Sequence, residues 1–230
     1  MGKLHDIPSL RNRLFVFKNR KNAGEILAKM LSKYKGNPDA ILLAIPSGGV
    51  PVAYEISSIL KIPLRLIIVK KIPIPFNPEA GYGAIAWDGS FLLNEKIVRY
   101  LNLSEREIKG DIEKVRKIIE HRRKKFGFPL RKNERKEILI VVDDGIASGI
   151  TMLTAINSLK RFKSKIIVAV PTAHEECINL LYPHVDEIYC PNIRRGYPFA
   201  VADAYKEWHD VGDEEVIEIL KKVKKKSYSE

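Results

Sequence analysis

Apolar residues along this chain fall into two rhythms. Ile138, Leu139, Ile140, Val141 and Val142 form an unbroken, β-branched run of strand length, which suits a strand covered on both faces of a parallel sheet. Shorter or similar runs at 40–45, 64–69, 165–170 and 187–190 read as further strands. Between them the spacing turns helical. It does so at Ala23, Ile26, Leu27, Met30, Leu31 and Tyr34 over 22–34, with Asn22 and Glu25 placed as a capping box. It recurs at Val52, Ala53, Ile56, Ile59 and Leu60, and at Ile108, Ile112, Val115 and Ile119 in a long helix capped by Ser104 and Glu107 that runs to about 126. Met152, Leu153, Ile156 and Leu159, a short helix over 174–181, and Val216, Ile217, Leu220 and Val223 after Asp213 complete the set. The stretch 72–83 is too rich in Pro and Gly for a regular element, and 84–87 with 91–93 flank Asp88, Gly89 and Ser90 as a hairpin. Residues 191–211 are irregular and aromatic, and no internal repeat appears.

Strands alternating with helices predict an α/β fold, a parallel doubly wound sheet with helices on both faces. At 230 residues the chain reads as one domain with a lid at about 72–93 and a hood from 191–211 together with the N-terminal segment. Long Pro/Gly-rich segments in compact domains serve as lids or are disordered. Gly81, Gly83 and Gly89 are the candidate hinges of this one. Ligands bind such sheets at the C-terminal ends of strands, around a switch point. Three of those ends carry unusual loops, at 46–50, 70–71 and 143–151.

Composition narrows the class further. The net charge of +12 raises encounter rates with anions without naming which anion, and much of it lies on solvent-facing helix positions and at 221–226. Two cysteines, Cys177 and Cys190, with no metal-type spacing, indicate neither a disulfide framework nor a zinc site. No apolar run reaches membrane-spanning length and the N-terminus lacks the apolar core of a signal peptide, so the expectation is a cytoplasmic protein.

The loop at 143–151 carries the chemistry. Asp143 and Asp144 end the strand, and Gly145, Ala147, Ser148, Gly149 and Thr151 lead into a helix whose free amides favour an anion. Carboxylates repel phosphate but suit hydroxyls, so the pair and the small-residue loop together ask for a polyol beside a phosphate, such as a ribose 5-phosphate. Val-Val-Asp-Asp-Gly-Ile-Ala-Ser-Gly-Ile-Thr at 141–151 resembles the phosphoribosyl-diphosphate (PRPP) motif of type I phosphoribosyltransferases. Pro-Ser-Gly-Gly-Val-Pro-Val-Ala at 46–53 looks like that family's diphosphate loop, and Val-Lys-Lys at 69–71 resembles the basic pair facing it. Asn-Pro-Glu-Ala-Gly-Tyr-Gly-Ala at 77–84 is similar to a loop of an uncharacterised subgroup of predicted phosphoribosyltransferases.

The resemblance implies transfer of a 5-phosphoribosyl group from PRPP to a nitrogenous acceptor, a nucleobase being the class expected, with release of diphosphate and with Mg²⁺ carried by PRPP, Asp143 and Asp144 being its candidate protein ligands. It assigns the ribose hydroxyls to Asp143 and Asp144, and the 5-phosphate to Gly145, Ile146, Ala147, Ser148, Gly149, Ile150 and Thr151. The diphosphate falls to Ser47, Gly48, Gly49, Lys70 and Lys71. Ser47 stands where the subgroup has Arg, which removes a bidentate cation. Lys70, Lys71 and Glu79 are the candidate catalytic residues. A tight turn remains the other reading of Gly48 and Gly49, and a solvated surface that of the two lysines and Glu79. Ala147 occupies the position at which 6-oxopurine transferases carry an acid serving the purine N7, so that 6-oxopurine chemistry is not expected; at this position the chain instead resembles adenine-type transferases. Tyr197, Phe199, Tyr205 and Trp208 could stack a planar base, Tyr205 and Trp208 first among them, or could be core. A homo-oligomer is the expected assembly. The second reading is a PRPP-sensing nucleic-acid regulator, to which Ser47 and the +12 charge lend support.

Overall fold

The computed structural model describes residues 2–75, 77–127, 129–130 and 136–227, with the backbone alone at 78, 79, 226 and 227. In chain order the strands are β1 Lys3–His5, β2 Ala40–Ala44, β3 Leu64–Leu66, β4 Val69–Ile74, β5 Asn77–Ala86, β6 Phe91–Leu93, β7 Ile138–Val142, β8 Lys165–Ala169, β9 Thr172–His174, β10 Glu187–Tyr189 and β11 Asn192–Arg194. The helices are α1 Arg20–Met30, α2 Gly49–Leu60, α3 Glu95–Tyr100, α4 Glu105–Phe126, α5 Ile150–Leu159, α6 Glu175–Leu181 and α7 Asp213–Ser227.

Six strands form one sheet in the order β1-β10-β8-β7-β2-β3, every neighbouring pair parallel. Two neighbouring inner strands, β2 and β7, are the apolar runs Ala-Ile-Leu-Leu-Ala and Ile-Leu-Ile-Val-Val, whose register pairs Ala40 with Ile138 and Ala44 with Val142. After β2 the chain moves outward to β3, and after β7 it moves the other way to β8 and β10. Right-handed crossovers in opposite directions put α2 and α5 on opposite faces, and the strand order reverses between β2 and β7. The loops after those two strands therefore open on one crevice.

Several elements differ from the reading of the sequence. The first helix begins at Arg20, because the Asn19 side chain accepts from the Asn22 amide at 3.2 Å and the Asn22 side chain accepts from the Lys18 amide at 3.1 Å. This reciprocal pair stands in for the expected box of Asn22 and Glu25. Tyr34 lies in a separate 3₁₀ turn, and α3 and β1 are additional elements. Ile59 is 41% exposed rather than inward, while the Ser104–Glu107 capping box of α4 forms as expected. The run at 64–69 divides, so Lys70 and Lys71 lie inside β4 and not at the end of a strand of the parallel sheet.

The stretch 72–83 is not irregular. It forms most of a β4–β5 hairpin whose register shifts on either side of Pro73, extended by β6 into a three-stranded antiparallel sheet. Pro73 is tolerated because β4 is the edge strand, where a missing N–H costs no ladder bond. Gly83 is a packing residue: a Cβ there would lie 2.5 Å from the Leu92 carbonyl oxygen. This small sheet rests on α5 and α4, with Tyr82, Ala84 and Ile85 buried in the main core. In the predicted irregular region β11 pairs with β9 in a separate two-stranded sheet. The following segment closes on the N-terminal one through a small core of Phe17, Ala23, Ala204 and Tyr205. No described helix is long and apolar enough to cross a membrane.

Candidate functional site

The two loops at the crevice touch. A Cβ added to Gly48 would collide with the Asp144 carboxylate, so the acid occupies the space that any side chain at 48 would need. Gly49 has a different duty. Its amide donates to the Ile45 carbonyl at 3.1 Å, and a Cβ there would lie 2.6 Å from the Val142 carbonyl oxygen. Of the two glycines expected to offer amides to an anion, Gly48 remains, and Gly49 serves the close approach of α2 to β7. Ser47 follows Pro46 through a cis peptide bond and is half-buried.

Asp143 and Asp144 are half-buried at the end of β7, with Asp144 Oδ2 accepting from Arg20 Nε at 2.8 Å and Asp143 Oδ1 accepting from the Asp144 amide at 2.9 Å. Burial raises the Asp143 carboxyl well above the ordinary carboxylate range, and the neighbouring Asp144 adds repulsion. Asp144 is also raised by burial, but Arg20 opposes the rise through its charge and its hydrogen bond. The pair is thus set against two full charges, with the negative charge favoured on Asp144.

The rest of the loop divides by role. Ile146 is buried, its amide donating to the Thr172 carbonyl at 3.0 Å and its carbonyl accepting from the His174 amide at 3.2 Å. It is an anchor, and its amide is not available to the phosphate it was expected to hold. Ala147 and Ser148 are exposed, Gly149 takes φ +76° as the N-cap of α5, and Ile150 and Thr151 open the helix. Among the described residues, the amides of residues 147–151 have no hydrogen bond to another protein group. Five neighbouring donors at a helix N-terminus form a cradle for an anion.

Three further residues close the acid pair. The Tyr205 hydroxyl donates to the Asp144 carbonyl at 2.6 Å and the residue is 1% exposed, its hydroxyl held protonated by burial. Trp208, 37% exposed, lies 3.9 Å from the Arg20 guanidinium carbon, and Arg20 Nη1 donates to the His209 carbonyl at 2.8 Å. Of the two aromatics expected to stack an acceptor, Tyr205 is wall, while Trp208 keeps accessible surface at the rim. His174 is buried under Tyr197, ring centroids 4.5 Å apart, with Phe199 edge-on at 5.7 Å.

Lys70 and Lys71 follow one another on β4, so their side chains leave opposite faces of the small sheet and cannot act as a side-by-side pair. The Lys71 stem packs over Gly81, where a Cβ would collide with it. The Glu79 backbone is in β5, and its side chain lies outside the described residues. Arg20 had no signal in the sequence: its partner is 124 positions away. Among the described residues no group of three or more His, Cys, Asp or Glu is placed to hold a metal ion.

No protein-family model matches the chain. Over 211 residues, 89% of its length, it is 33% identical to a protein of Mycobacterium tuberculosis named "Putative phosphoribosyl transferase", found alike in strains CDC 1551 and H37Rv. The chain is a homologue of the protein so named. It spans about half the length of these curated relatives, 46% of each. The crystal structure of TT1426 from Thermus thermophilus shares the fold at a TM-score of 0.71, with 28% identity, 89% of this chain and 97% of that one. At that coverage the alignment takes in both the β2 and the β7 loops.

Proposed function

We propose that this chain binds PRPP in the crevice between β2 and β7 and transfers its phosphoribosyl group to a nitrogenous acceptor. The observation that carries the reading is the contact of Asp144 with Gly48 at the sheet's switch point, beside the open amides of 147–151. A sugar seated there donates its hydroxyls to Asp143 and Asp144, its 5-phosphate meets the α5 N-terminus, and its diphosphate lies toward Ser47 and Gly48. An attacking nitrogen forms a bond to C1 as the C1–oxygen bond to diphosphate breaks; the electron pair leaves with diphosphate, and the nitrogen's proton passes to solvent. Charge builds on the sugar as the bond opens, so a carboxylate held against it favours the transition state. Exclusion of water matters, because PRPP would otherwise hydrolyse. The β4–β5 hairpin, which packs on α5, is the candidate to provide it.

Mg²⁺ suits this donor set, since it is held through one or two carboxylates together with substrate phosphates, and the acid pair supplies the carboxylates. When bound it would neutralise the departing diphosphate. Trp208 and its surroundings are the rim where the acceptor would enter, and a nucleobase is the acceptor class that an exposed indole fits. Incubation with PRPP, Mg²⁺ and a panel of nucleobases, followed by assay of released diphosphate, tests the reading. Base-dependent release is expected; absence of PRPP binding by calorimetry overturns it.

A further inference from the structure

Arg20 is 6% exposed, yet it belongs to no recognised part of the sugar site. Its three contacts point in different directions. Nε donates to Asp144 Oδ2 at 2.8 Å, Nη1 donates to the His209 carbonyl at 2.8 Å, and the guanidinium carbon lies 3.9 Å from the Trp208 ring centroid and 5.9 Å from that of Tyr205. The segments bearing these groups are joined beside it. The Lys206 amide donates to the Phe17 carbonyl and the Glu207 amide to the Lys18 carbonyl, each at 2.8 Å, and Asn19 Nδ2 donates to Glu207 Oε2 at 2.8 Å. Tyr205 meanwhile fixes the Asp144 backbone from the same side.

We infer that Arg20 is a positioning residue that holds the Asp144 carboxylate by one oxygen, in the orientation from which the other accepts a ribose hydroxyl. This rests on the proposed function. A planar guanidinium engaged at Nε, at Nη1 and on its face has little freedom left, and it passes that restraint to the carboxylate. Asp144 is 14% exposed at its side chain, which leaves room for one ligand contact but not for free rotation against Gly48. An ammonium at position 20 would retain the charge and lose the fork and the indole contact. Orientation of the acid, rather than charge alone, is what the arginine contributes.

The test compares three probes by calorimetry: PRPP with Mg²⁺ present, and ribose 5-phosphate and inorganic diphosphate without it, so that no metal links the diphosphate probe to the acid pair. Arg20→Met is expected to weaken PRPP and ribose 5-phosphate by about tenfold or more, the range of a charge-assisted hydrogen bond, while inorganic diphosphate changes less than about twofold. Arg20→Lys is expected to recover only part of the loss for the two sugars. A loss shared equally by all three probes marks a merely structural residue and overturns the inference, as do sugar affinities unchanged in Arg20→Met. Should Arg20→Met fail to fold, Arg20→Lys decides alone: selective weakening of the sugar probes supports the inference and unaltered sugar binding overturns it. Wild-type protein that does not bind PRPP removes the proposed function and this inference together, whereas wild-type binding with an indifferent Arg20→Met removes only the second.

Discussion

Asp144 answers to three neighbours at once: Gly48 gives it space, Arg20 gives it a cation, and Tyr205 pins its carbonyl. Replacing it with Asn keeps the volume and removes the acceptor charge, while leaving the Arg20 guanidinium without its carboxylate. Asp144→Asn is therefore expected to weaken PRPP at least about tenfold by calorimetry, and unchanged affinity would count against the ribose assignment. The acid pair and the glycine beside it were legible because the first is a local motif and the second follows a strand. Arg20 was not, because an arginine after asparagine at a helix start reads as solvated, and only the tertiary fold brings it to residue 144. Gly49 and Ile146 were misread for a related reason. Sequence shows that an amide exists, but the packing of β9 and α2 decides whether it is already spent.

At the scale of elements, the β4–β5–β6 sheet is held unevenly. Its β5–β6 turn is tied down: Arg161 Nη1 lies 3.3 Å from Asp88 Oδ2 and its guanidinium covers Trp87 at 4.8 Å, while Arg123 Nη1 donates to the Trp87 carbonyl at 3.3 Å. The β4–β5 end has register shifts and exposed Pro73 and Pro75 instead. Movement over the crevice would belong to that end, and Gly89 sits in the wrong turn to serve as its hinge. Limited proteolysis of free protein is expected to cut within 73–81 and to spare 88–90. PRPP with Mg²⁺ should slow the first cleavage severalfold; identical digestion with and without ligand would remove the lid. Strand content here escaped the sequence reading because Pro and Gly ordinarily punctuate structure, whereas an edge strand and a closely packed hairpin can absorb both.

Across the whole molecule, the end of the sheet away from the crevice is organised by Glu187, the first residue of β10. Its buried carboxylate accepts from Lys33 Nζ at 2.8 Å, Tyr34 Oη at 3.0 Å, Lys165 Nζ at 2.5 Å and Tyr189 Oη at 2.7 Å, with His5 Nε2 of β1 at 3.2 Å. Burial works to raise this carboxyl, but the hydrogen bonds from Lys165, Lys33, Tyr189 and Tyr34 outweigh it and hold it far below the usual range. A carboxyl depressed in the folded state stabilises fully above its unfolded value of about 4.3, and that stability is lost as pH falls toward the folded value. Glu187→Gln is expected to cost about 1–3 kcal/mol at pH 7 by denaturant unfolding, with the gap to wild type closing as pH drops below about 4. A gap independent of pH would refute the ionic account.

The wall behind Asp144 is built from residue 20 and from residues 205–209, stretches separated in chain order by strands β2, β7 and β8 of the parallel sheet. As synthesis runs from N- to C-terminus, those strands are made before Tyr205, so the middle of the sheet precedes the wall. Under the proposed function, the seat for the sugar is therefore complete only once residues 205–209 have closed on residue 20.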